Sequence, residues 1–174
     1  LTSLFSKKSQ SFTETAEELV GRKVSHVGEA WAQFGNDAGG HTPWKLHISA
    51  FADPADAKQV MEATIPVLKK YSTTFKVAKD LETLTSLPGT QSGKFMTIYP
   101  KDLMEGANLM IDINNAIKSA SLGPGPRIQG EMSMGRTGRM FTRMEDAQRG
   151  AEYTFRDLPE TYQKVQHYLL GVGK

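Results

Sequence analysis

Lys45 and His47, two residues apart in Pro43-Trp-Lys-Leu-His-Ile-Ser49, are the side chains best suited to chemistry in this chain. Period-two alternation puts Lys45, His47 and Ser49 on one face of the stretch and Trp44, Leu46, Ile48 and Ala50 on the other, the pattern of a half-buried strand. Two more strand-like pieces carry a basic residue each: Lys76 in Thr74-Phe-Lys-Val77 and Lys94 at the head of Lys94-Phe-Met-Thr-Ile-Tyr-Pro100. Lysines beside a group that titrates near neutrality suit the handling of an anion with proton transfer nearby. Alone, Lys45-x-His47 reads as a solvated strand edge; its combination with the basic residues further along the chain gives it meaning. Each of these side chains is expected on the open face of its strand.

A second basic feature lies downstream. Five of the seven arginines (Arg127, Arg136, Arg139, Arg143, Arg149) fall between positions 127 and 149, opposed there by Glu131, Glu145 and Asp146. The planar fork of arginine matches phosphate, although a solvated basic face is the plainer account of such a cluster.

The elements that must position these residues can be read from local pattern. Residues 1–12 are polar and aperiodic and are expected to form a flexible arm, with a single domain over 13–174. A short helix is expected from Thr13, as its cap, to Val20. Phe34 to Pro43 reads as loop from its glycines. Asp53-Pro54 starts a helix whose apolar face is Ala57, Val60, Met61, Thr64, Ile65 and Leu68, with a bend expected at Pro66. Another helix is predicted from Leu103 to Ser119, stopped by Leu122-Gly-Pro-Gly-Pro126. Weaker strands are expected near Arg127–Gln129 and Arg139–Arg143, and a last helix over 159–170. The order of elements argues for an α+β fold: one domain with a small, mostly antiparallel sheet and flanking helices.

Composition bounds the function. At 174 residues, 39% hydrophobic and 23% charged, the chain fits one globular domain. A net charge of +2 is too weak for a general polyanion binder, so nucleic acid is not expected as a partner. The absence of cysteine excludes disulfides, thiol nucleophiles and zinc-thiolate sites. No apolar run approaches a membrane span and no signal-peptide pattern opens the sequence, which gives a cytoplasmic expectation. The chain starts at Leu1 rather than Met, consistent with an upstream part being missing or trimmed. Gly123-Pro-Gly125 lacks the strand–loop–helix context of a nucleotide site. The remaining histidines have no ligand-like spacing, so no metal is assigned. The methionines near the arginines read as core filler.

Taken in order, Trp-Lys-Leu-His-Ile-Ser-Ala50, Phe-Lys-Val77, Ser92-Gly-Lys-Phe-Met-Thr-Ile-Tyr-Pro100, Leu122-Gly-Pro-Gly-Pro126 and Met140-Phe-Thr-Arg143 resemble the lyase domain of class III and class IV lanthipeptide synthetases. The same core is similar to the phosphothreonine lyases that bacterial pathogens inject to inactivate host mitogen-activated protein kinases. The resemblance spans roughly positions 40–150. It implies a phosphothreonine-lyase-like fold and β-elimination of phosphate from phosphoserine or phosphothreonine, leaving dehydroalanine or dehydrobutyrine. That chemistry needs a neutral lysine as base, hence one whose pKa is lowered by burial and neighbouring cations, and an acid for the departing oxygen. It also needs fixed cations for the phosphate, and no metal or organic cofactor.

By this resemblance Lys76 corresponds to the general base and His47 to the general acid. Lys45 corresponds to a phosphate-contacting lysine and Arg143 to a phosphate-binding arginine. Arg149 matches a second such arginine when one gap is allowed. Tyr99 takes the place of an active-site tyrosine, although strict spacing would put Ile98 there, and Lys94 belongs to the synthetase-like version of its strand as a phosphate ligand. The effector enzymes depart where an arginine falls near Pro88 and a lysine near Pro100 or Lys101. The leading expectation is a lyase of lanthipeptide maturation, acting on a phosphorylated peptide alongside a kinase and a cyclase. The alternatives are a secreted effector acting on a phosphorylated host kinase, and a phosphopeptide-binding module without turnover.

Overall fold

The structure, a computed structural model, describes residues 11–36, 40–145 and 153–171. Five helices and seven strands lie among them. In chain order they are α1 (Phe12–Val20), β1 (His26–Val27), β2 (Trp31–Phe34), β3 (Trp44–Ser49), α2 (Pro54–Tyr71) and β4 (Thr74–Ala78). After these come α3 (Leu81–Ser86), β5 (Lys94–Tyr99), α4 (Leu103–Ser119), β6 (Met132–Ser133), β7 (Met140–Met144) and α5 (Glu160–Leu170). The strands make one open sheet in the order β1-β2-β4-β5-β3-β7-β6, antiparallel at every pairing.

Capping chemistry sets the helix starts. Asp53, Asp80 and Asp102 each accept a backbone N–H of the first turn of α2, α3 and α4. At α1 the cap is Ser11, not Thr13 as expected, because the Ser11 hydroxyl accepts from the Glu14 amide. Phe12, assigned by sequence to the arm, is buried in the core and packs edge-on against Phe95 at 5.1 Å. The remainder of the expected arm lies outside the described residues. Helix α2 buries the six residues of its predicted face and runs on through Pro66 to Tyr71.

The helices cover one side of the sheet. Trp44, Leu46 and Ile48 of β3, Phe75 and Val77 of β4, and Met96 and Ile98 of β5 form one core with the inner faces of α1, α2, α4 and α5. Among the described residues no helix is long and apolar enough to cross a membrane. The segment near Arg127–Gln129 is not a strand. It turns on itself, with the Glu131 amide bonded to the Ile128 carbonyl at 3.4 Å, and Arg127 Nη2 donates to the Glu131 carbonyl at 3.1 Å.

The other side of the sheet carries the polar side chains. Register places His26, Gln33, Lys76, Thr97, His47, Phe141 and Ser133 in one row across all seven strands. Neighbouring positions along the same face are Lys45 opposite Arg143 and Thr74 opposite Tyr99. This side is open only in part. His47 and Ser49 are buried, because the connection from α4 to β6 lies over them. A Cβ at Gly125 would stand 2.7 Å from Ser49 Oγ, so glycine lets that backbone lie flat against β3.

Candidate active site

Tyr99 stands at the centre of the polar face. Lys76 Nζ lies 5.5 Å from its ring centroid and Lys45 Nζ 5.9 Å. Lys76 also lies 5.8 Å from the Trp31 ring, and the His41 ring meets Tyr99 edge-on at 5.1 Å. The amino ends of two lysines thus converge on one aromatic side chain. Lys45 is pushed below the ordinary lysine value, mainly by burial; Glu145 pulls it back, Lys76 lowers it further, and Glu131 and Arg143 act with smaller opposite effects.

His47 lies on the same face, one strand position from Lys45 and in the row of Lys76. Contrary to the sequence expectation it is not on an open surface: it is 2% exposed. Its Nδ1 is 2.6 Å from Glu131 Oε1. A carboxylate at that distance accepts the Nδ1 proton and leaves Nε2 as the chemically available nitrogen. Burial pushes the imidazole below its ordinary value against the pull of Glu131, and Lys94 and Lys45 lower it further. Burial alone would raise Glu131, but the hydrogen bond and charge of His47, together with Lys94, hold its carboxyl low.

Lys94 sits on the other side of His47 from Lys45, opposite Ser49 in the β3–β5 register. Its Nζ is 3.3 Å from Glu131 Oε2, and its side chain is 11% exposed. Burial pushes Lys94 down and Glu131 pulls it back up, while Lys45 and Arg143 lower it. Arg143 faces Lys45 across the strand pair, with Nη1 3.4 Å from the Gly130 carbonyl and its guanidinium 5.9 Å from the Tyr153 ring. The structure thus brings Lys76, His47, Tyr99, Lys45, Lys94 and Arg143 to one side of the sheet. Arg149 lies outside the described residues.

The other arginines of the cluster have different employment. Arg139, 2% exposed, donates from Nη1 and Nη2 to the two Asp56 oxygens at 2.8 Å each, from Nη1 to the Ser49 carbonyl at 3.2 Å and from Nε to the Gly123 carbonyl at 2.7 Å. Arg136 donates to the Leu170 carbonyl. Sequence reasoning missed Glu131 as a partner of His47, counting it only as a charge among arginines; 84 residues separate the two and no local spacing signals the contact. It also missed His41 and Glu145, which meet at 3.2 Å beside Tyr99 and Lys45. Among the described residues no three His, Asp or Glu side chains gather in a way that could hold a metal ion.

The arrangement can hold an anion between Lys45, Arg143 and the Tyr99 side of Lys76, with the His47 imidazole, a side chain able to titrate near neutrality, on the same face. Comparison with solved structures places the fold. The phosphothreonine lyase effector VirA (SpvC) of Chromobacterium violaceum matches with a TM-score of 0.64 at 15% identity, over 92% of this chain and 86% of that one. The type III effector and phosphothreonine lyase OspF of Shigella flexneri matches at 0.62 and 15%, over 91% and 86%. The Salmonella effector SpvC, also a phosphothreonine lyase, matches at 0.56 and 15%, over 89% and 95%. These likenesses establish a shared fold. No curated protein matches by sequence. The family profile described as RamC, N-terminal domain, matches residues 12–149, most of the chain, and this protein therefore belongs to the RamC N-terminal domain family.

Proposed function

We propose that this chain is a phosphoserine/phosphothreonine lyase. The observation that carries the reading is the row in which Lys76 and His47 flank Thr97 on one sheet face, with Lys45, Tyr99 and Arg143 one step along the same face. Lys76 takes the α-proton, the Cα–H electrons form the Cα=Cβ bond, and the Cβ–O bond breaks. His47 gives its Nε2 proton to the departing bridging oxygen, and Lys45 and Arg143 hold the phosphate as charge gathers on it. Tyr99 positions the Lys45 and Lys76 side chains, the latter acting as the free amine. A binding module would need the cations but neither proton carrier. The shared fold with phosphothreonine lyases supports the reaction class.

Membership of the RamC N-terminal domain family supports the finer reading: a phosphorylated precursor peptide as substrate, received from a kinase and passed as dehydroalanine or dehydrobutyrine to a cyclase. The test is incubation with a phosphothreonine peptide in chelator, then mass spectrometry. The expected product is lighter by phosphoric acid. A product that keeps its hydroxyl would mean a phosphatase, and unchanged peptide held by the protein would mean a binding module. Competition between a phosphorylated precursor peptide and a phosphorylated kinase-loop peptide then distinguishes maturation from an effector role.

A further inference from the structure

Glu131 is the least exposed charged group of the polar face, with 1% of its side chain accessible, and its two oxygens are divided. Oε1 is hydrogen-bonded to His47 Nδ1 at 2.6 Å, and Oε2 is ion-paired with Lys94 Nζ at 3.3 Å. An uncompensated buried carboxylate beside an imidazole would hold a second proton on the ring, making an imidazolium too stable to give that proton away. Lys94 supplies the compensating charge. We propose that Lys94 acts on His47 through Glu131 as a positioning residue: by cancelling the carboxylate's charge it keeps His47 neutral in the free protein, so that the ring gains its Nε2 proton when a phosphate arrives. This rests on the lyase reading for its purpose, but not for its test.

The placement of Lys94 favours this role over direct phosphate binding. It lies opposite Ser49, whereas Lys45 lies on the other side of His47, toward Tyr99 and Arg143. Were Lys94 to leave Glu131 for a phosphate there, that carboxylate would stay buried without its cation. The charged and titratable groups around His47 all enter the balance. They are Lys45 on β3, Lys76 on β4, Lys94 and Tyr99 on β5, Arg143 on β7, and Glu131 with Arg127 on the connection from α4 to β6. Of these, Glu131 favours the imidazolium and the cations oppose it; Lys94 is the cation ion-paired with Glu131 itself.

The experiment is an NMR titration of histidine-labelled protein, with His47 identified by comparison with His47→Asn. In the wild type, Nε2 should take its proton below the ordinary midpoint, and saturating inorganic phosphate should move that midpoint up. Lys94→Met should raise the phosphate-free midpoint by about 1–3 units, the usual effect of an uncompensated neighbouring charge. Lys94→Arg should stay near the wild type, and Lys94→Met/Glu131→Gln should return the midpoint downward. If Lys94→Met alone does not fold, recovery of folding in the double variant supports charge compensation, and a double variant that also fails overturns it. An unchanged midpoint in Lys94→Met overturns the proposal, as does a wild-type midpoint indifferent to phosphate. Because the readout is proton binding, a protein with no lyase activity would sink the functional reading while leaving this one to be decided.

Discussion

Removing Arg139 should unfold more than it disarms. Arg139→Met deletes four donated bonds: two to Asp56, one to the Ser49 carbonyl and one to the Gly123 carbonyl. Each backbone carbonyl loses a charged donor, worth about 1.5–3 kcal/mol. Asp56 keeps the Phe51 amide at 2.9 Å and, at 15% side-chain exposure, recovers some solvation. The net cost should therefore fall near the usual range for breaking a buried pair, about 3–5 kcal/mol. That is a large part of the roughly 5–15 kcal/mol typical of a domain, yet it leaves the variant folded in most of that range. At a urea slope of about 2 kcal/mol per molar, the midpoint drops by roughly 1.5–2.5 M. Arg139→Lys should recover only part of this, since one ammonium cannot serve the same fork of acceptors. A double-mutant cycle with Asp56→Asn should show coupling. Burial by itself raises the Asp56 carboxyl, but the bonds from Arg139 and Phe51 and the charge of Arg139 hold it below its ordinary 3.8. The pair's contribution is therefore complete above 3.8 and is lost as pH falls through the lower folded value; Arg139→Met should lack that acid-sensitive portion. Turnover, measured well below the unfolding transition, should suffer far less than in Arg143→Ala. A variant as stable as the wild type but inactive on phosphopeptide would refute the reasoning and assign Arg139 to the phosphate.

Lys76→Ala should be inactive on every substrate, whereas His47→Ala should fail on phosphothreonine yet partly recover on an analogue with a better leaving group; substantial turnover by folded Lys76→Ala would mean another base. Lys45→Ala and Arg143→Ala should each weaken use of phosphopeptide about ten- to a hundredfold, the loss of a charge-assisted contact of roughly 1.5–3 kcal/mol, with Arg143→Lys restoring only part in steady-state kinetics. Gly106→Ala should destabilise by about 1–3 kcal/mol in chemical denaturation, because the added Cβ would press on the Tyr162 hydroxyl and lie 2.8 Å from its Cζ.

Strands β3, β4 and β5 and helices α2 and α4 were legible because each sets apolar residues toward the core with a recognisable period. The predicted face of α2 coincides with its buried residues, and Leu103–Ser119 coincides with α4. Strands β1 and β6 are two residues long, and β2 has four, with its nearer boundary beside a glycine loop; such lengths carry too little period to stand out. At the site, the side chains in strands were legible and their surroundings were not. Alternation put His47 opposite Leu46 and Ile48 correctly, but period alone does not say that a distant connection will cover the polar side. The arginine cluster was opaque for the same reason. Arg139 and Arg143 look alike in sequence, and only the fold gives one to Asp56 and leaves the other facing Lys45.

The row shared by Lys76, Thr97 and His47 works as a ruler. Adjacent antiparallel strands are held about 4.8 Å apart by their hydrogen bonds, so the backbones carrying Lys76 and His47 stand two such intervals, roughly 10 Å, from each other. The interval is graduated by main-chain geometry, which side-chain substitution hardly alters. Loops at either end of the sheet are therefore free to change length and sequence while the span between Lys76 and His47 stays fixed. A one-residue insertion within β4 ahead of Lys76 is another matter: it would turn that side chain into the helix layer and remove it from the site at a stroke.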